Sequence, residues 1–163
     1  MRACCGLLAV SVVLLVGCSG AQTRAVAEVA PAAAEEIPAV ASNGEKLMEL
    51  MGTSWKVTAY HDGKSGVVPV LDGTTLSLSF AAGSASGSAG CNRYNASVTV
   101  DGSRLAFGRA ASTRMACGGV AGMMEQEAAY LAAFETAVAF RVSGDRIELH
   151  RQDGSVAVEA SRE

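Results

Sequence analysis

Past residue 53 the chain alternates apolar and polar side chains in short runs. Residues 54–60 (SWKVTAY) put Trp55, Val57 and Ala59 on one face, which predicts a half-buried strand. Residues 74–80 (TTLSLSF) alternate cleanly, with Leu76, Leu78 and Phe80 inward. Residues 83–90 are rich in Ser and Gly and predict a strand, plain or bulged, where backbones approach closely. Residues 94–100 form the next strand, Asp101-Gly102 a hairpin turn, and residues 104–107 the return. Residues 108–122 show no period. Residues 123–136 (MMEQEAAYLAAFET) predict a helix whose apolar stripe is Met123, Tyr130, Leu131 and Phe134. Three short strands follow at 138–142, 146–150 and 155–159, turned by Gly144-Asp145 and Asp153-Gly154. The expected fold is mainly β (α+β): a small antiparallel barrel with one packed helix. Residues 45–51 are expected to add a helical turn or two, stopped by Gly52.

The region before residue 45 follows different rules. Residues 6–16 (GLLAVSVVLLV) are an apolar run after Arg2, too short for a stable membrane span and typical of a signal-peptide core. The run ends in Leu15-Val16-Gly17-Cys18, which resembles the bacterial lipobox. Its Cys is required because the thiol becomes a diacylglyceryl thioether, the anchor of a palmitate-bearing lipoprotein. This divides the chain into a lipoprotein signal peptide (1–17), a lipidated N-terminus and flexible Ala/Pro/Glu-rich linker (18–44), and a folded domain (45–163). The alternative is an ordinary secretory signal with a chance Cys. Lipidation at Cys18 places the protein in the cell envelope. Ser19 after the Cys suits outer-membrane sorting, facing the periplasm, by analogy with enteric bacteria.

Of five Cys, Cys4 and Cys5 fall in the signal and Cys18 carries lipid, leaving Cys91 and Cys117. An even pair in an exported domain reads as a disulfide, the alternative being two buried thiols. Closing that loop of roughly 26 residues stabilises a fold by about 3 kcal/mol. The net charge of -3 excludes the positive field that nucleic-acid binding needs. Two His and a single Trp leave little material for a metal centre or an aromatic sugar platform.

Gly90-Cys91-Asn92-Arg93-Tyr94, followed by Thr113-Arg114-Met115-Ala116-Cys117, is similar to the paired signatures of the META/HslJ domain family. Glu127 with Tyr130-Leu131 on the helix, Trp55 on the first strand and the closing residues 144–149 also match, so the resemblance covers roughly residues 48–160. It implies a lipocalin-like barrel in a bacterial envelope protein, often lipid-anchored. It also links the chain loosely to heat shock and antibiotic tolerance, and through some eukaryotic relatives to virulence or motility. The family brings no catalytic residue and no cofactor.

Physically, Gly90 suits a backbone position that a side chain would block, Asn92 a turn, and Tyr94 a buried ring with a bonded hydroxyl. Several sharper chemistries compete with this structural reading. Arg93, Arg104, Arg109 and Arg114 could converge on a lipid phosphate or a carboxylate. Met115, Cys117, Met123 and Met124 are soft ligands suited to Cu(I). Cys117 with His61 or His150 could form a nucleophilic pair. The acids mostly sit in turns (Asp62, Asp101, Asp145, Asp153) or on the helix, so catalysis is not expected. Glu127 stands apart, beside the apolar stripe, and is expected to pair with Arg93 or Arg114. The leading expectation is a monomeric, non-catalytic envelope protein serving stress tolerance or maintenance through contacts with another protein. The alternative is a small-ligand or anion binder using the barrel mouth or the Arg segment. A roomy cavity lined by Leu76, Leu78, Phe80 and Phe107 would favour the alternative, and a filled interior the first reading.

Overall fold

The computed structural model describes residues 43–163. The signal peptide, Cys18 and nearly all of the linker lie outside them. Helix α1 (Asn43–Leu50) leads into β1 (Ser54–His61), β2 (Val67–Pro69), β3 (Ser77–Ala81) and β4 (Ser84–Ser88). Then come β5 (Arg93–Asp101), β6 (Arg104–Phe107), β7 (Ala111–Ser112) and helix α2 (Met123–Glu135). The chain closes with β8 (Ala137–Ser143), β9 (Arg146–Arg151) and β10 (Val156–Arg162).

The antiparallel order β10-β9-β8-β6-β5-β4-β3-β1 is joined into a ring by pairing of β10 with β1. Trp55 lies opposite Arg162 and Tyr60 opposite Val158 along that seam. Closure removes the exposed edges that an open sheet would present. Strands β2 and β7 stand off the ring, on β1 and β5 respectively. Both escaped the sequence analysis because two or three residues carry no readable period.

Alternation builds the interior. Trp55, Val57, Leu76, Leu78 and Phe80 are all buried. Along β1 the pattern slips at a bulge between Val57 and Ala59, so Tyr60 turns inward where Ala59 was expected. The two helices lie at opposite ends. The chain leaving α1 hydrogen-bonds to the end of β3, through Gly52 N–H to the Phe80 carbonyl (2.9 Å), and Leu50 is fully buried there. Helix α2 sits where β3 and β5 begin. Its Phe134 meets Tyr94 (5.3 Å between centroids) and Phe107 (3.9 Å), and Phe107 stacks on Phe80 (6.3 Å). Side chains therefore occupy the interior that a ligand would need. Helix α1 lies where a helical turn or two was expected before Gly52, and α2 is the single packed helix.

One close approach depends on a glycine. Tyr94 lies opposite Gly87 of β4, and its hydroxyl reaches past that strand to the Ser77 carbonyl of β3 (3.0 Å). A Cβ at Gly87 would overlap that same carbonyl. Gly87→Ala should therefore force β3 and β4 apart and lower stability by about 1–3 kcal/mol. Thermal unfolding checks this, and an unchanged midpoint would contradict the packing described.

Candidate functional site

The signature residues meet in a buried polar knot between the start of β5 and the first turns of α2. Gly90 turns the chain out of β4 with φ +112, and a Cβ there would come within 3.3 Å of Gln126 Nε2. Cys91 and Cys117 are joined, with Cα atoms 5.9 Å apart, which staples the 113–117 loop to the start of β5. Asn92 is 1% exposed. Its backbone N–H donates to Glu127 Oε2 (2.8 Å) and its Nδ2 to Glu127 Oε1 (2.9 Å) and the Met115 carbonyl (3.2 Å). Its Oδ1 accepts from Met115 N–H and the Thr113 hydroxyl, both at 2.8 Å, and its carbonyl accepts from Ala89 N–H. Every hydrogen-bonding atom of Asn92 is used, as burial of an amide requires. Thr113 also accepts from Arg93 N–H (3.2 Å) and donates its own N–H to the Arg93 carbonyl (3.0 Å).

Gln126 carries no mark in the sequence of its place in the core. It is buried beside Glu127, where its Oε1 accepts from Leu71 N–H (2.7 Å) and its Nε2 donates to the Thr74 hydroxyl (2.9 Å). The buried face of α2 is Gln126, Glu127, Tyr130, Ala133 and Phe134, so two polar residues open the stripe assigned to Met123 and Leu131. The spacing of these five residues is helical, and only the assumption that a buried face is apolar concealed Gln126. Further along, the Tyr94 and Tyr130 hydroxyls lie 2.6 Å apart. Tyr94 spends its proton on the Ser77 carbonyl, so Tyr130 donates to Tyr94.

The structure corrects other expectations. Glu127 does not pair with Arg93 or Arg114; its oxygens are taken by Asn92, and both arginines are exposed. Alternation is the reason: with Tyr94 pointing in, Arg93 must point out. The four arginines do not converge. Arg104 lies opposite Asp101, at the other end of β5 from Arg93. Arg109 and Arg114 are exposed on the segment after β6. Cys117 is bonded to Cys91, so it is neither a thiolate for Cu(I) nor a nucleophile for His61 or His150, and Met115 and Met124 are exposed. No three acids, His or Cys among the described residues gather as a metal site. Asp62 and Asp153 serve their own turns, where hydrogen bonds from the Ser65 and Ser155 hydroxyls hold their carboxyls below the ordinary range.

The architecture is a small closed antiparallel barrel with a helix locked over one end by a buried Asn–Glu pair. The chain belongs to the META domain family, which matches residues 48–163. A protein from Burkholderia xenovorans, solved by NMR, is similar in structure at TM-score 0.58 and 25% identity. That likeness covers 87% of this chain and 97% of the other. A second NMR structure is similar at TM-score 0.52 and 19% identity, covering 70% and 92%. No curated protein matches the chain.

Two outcomes follow from the knot. Glu127→Gln places a donor against the Asn92 amide and should cost about 1–3 kcal/mol, whereas Arg114→Ala should stay within about 0.5 kcal/mol of wild type. Denaturant titration of both variants separates this from an Arg–Glu pair, which would make both costly. Burial pushes the Tyr94 and Tyr130 hydroxyls above the ordinary value of 10.0, so the folded state holds these protons more tightly than the unfolded chain. That stability is complete below about pH 10 and lost as pH rises through the raised folded values. Unfolding midpoints that stay flat to about pH 11 would contradict the buried pair.

Proposed function

We propose that this protein is a non-catalytic component of the bacterial cell envelope. It is tethered through lipid on Cys18, at the outer membrane facing the periplasm, and serves envelope stress tolerance or maintenance through contacts with another envelope protein. The observation that carries the binding part is the self-sufficiency of the signature. Asn92, Thr113, Gln126, Glu127, Tyr94 and Tyr130 satisfy one another or nearby backbone, and leave no acid–base pair poised toward a substrate. The filled interior turns the reading away from the barrel mouth and toward the outer faces. The anchor rests on the apolar run of residues 6–16 and the Leu15 to Cys18 box.

The anchor is tested by feeding cells a fatty-acid analogue. Wild type should carry the label and sediment with membranes, while Cys18→Ser should lose both properties. Equal labelling of the two would overturn the anchoring.

A further inference from the structure

We propose that the outer face of β3, β4 and the start of β5 binds an oxyanion, the phosphate, sulfate or carboxylate of an envelope constituent, between Lys56 and Arg93. A groove of about 310 Å³ lies on this face, lined by Ser77, Ser79, Ser86, Gly87, Ser88, Arg93 and Tyr94. Lys56 stands opposite Ser77, and Arg93 opposite Ser88. Ser77 and Ser88 are themselves linked, Ser88 N–H to Ser77 Oγ at 3.1 Å. The result is one row across four strands: cation, hydroxyl, hydroxyl, cation. With strands about 4.8 Å apart, the two cationic residues are rooted about 14 Å from each other, within joint reach of an anion seated between them.

Charge and hydrogen-bond accounting favour an anion over a neutral ligand. Lys56 and Arg93 are exposed, and neither takes part in an ion pair; those among the described residues lie elsewhere. No carboxylate lines the groove. The hydroxyls are oriented by what they already accept. Ser77 Oγ takes the Ser88 N–H, and Ser88 Oγ takes the Gly90 N–H (3.3 Å), so each keeps its own proton to donate. The Ser77 carbonyl, which would repel an anion, is committed to the Tyr94 hydroxyl. A surface of donors flanked by two unpaired cations, with the Ser77 carbonyl already bonded to Tyr94, is complementary to a group with several oxygens. Arg93 thus takes the part once given to four arginines, with a lysine from another strand as its partner.

The site is independent of the anchor, so either can fail alone. The test uses the Cys18→Ser protein, ¹⁵N-labelled and titrated with inorganic phosphate at constant ionic strength. The amides of Ser77, Gly87, Ser88 and Arg93 should shift and saturate. Arg93→Gln and Lys56→Gln should each weaken binding about tenfold, while Arg104→Gln, on β6 opposite the far end of β5, should not. Both positions are exposed, so melting temperatures should match the parent. Co-sedimentation with phosphatidylglycerol vesicles, against phosphatidylcholine vesicles, assigns the source. Binding to the anionic vesicles that phosphate competes away identifies a lipid headgroup. Phosphate binding without vesicle binding identifies a soluble anion. Absence of saturable shifts, or shifts that persist unchanged in both variants, would overturn the site.

Discussion

The hydrogen bonds between Asn92 and Glu127 hold the rest of the structure in place. Asn92 sits where β4 has ended and β5 begins, and Glu127 on the second turn of α2. By taking both carboxylate oxygens, Asn92 fixes the roll and height of the helix over the barrel. Only then do Tyr130 and Phe134 reach the core, where both are fully buried. A carboxylate taken from water loses several kcal/mol of hydration, and the pair survives because each oxygen meets an N–H. An apolar contact could supply similar area but would not dictate one register.

The loop at 113–117 belongs to the same unit. Thr113 and Met115 lock the Asn92 amide from the side opposite Glu127, and the Cys91–Cys117 link ties that loop covalently. The cross-link spans 26 residues and in the chain-entropy view contributes about 3 kcal/mol by restricting the unfolded chain. Signature residues are thus explained by assembly. With the barrel filled by Phe80, Phe107 and Phe134, the proposed recognition falls to the outer faces.

The strands were legible in the sequence because a half-buried strand must alternate, and the inward set Leu76, Leu78 and Phe80 is as expected. What was not legible depended on the third dimension. The bulge that turns Tyr60 inward leaves no mark in composition. Gln126 reads as solvent-facing and Glu127 as the partner of an arginine, because their true partners are about 35 to 55 residues away and no local pattern reports a satisfied polar group. Arg93 and Arg104 are near in sequence yet separated by the length of β5. Conversely, Lys56 and Arg93 are far apart in sequence and lie in one row.

The seam between β1 and β10 sets the order in which this domain comes into being. Trp55 cannot find Arg162 until nearly the whole domain has emerged, and until then the first strand lacks one of its neighbours. Loop closure over about a hundred residues comes late in folding and slowly. A nascent chain therefore stays open while it is made. For a chain exported as proposed, a channel that accepts only unfolded polypeptide would find it threadable to the last strand, and the barrel would shut on the far side of the membrane.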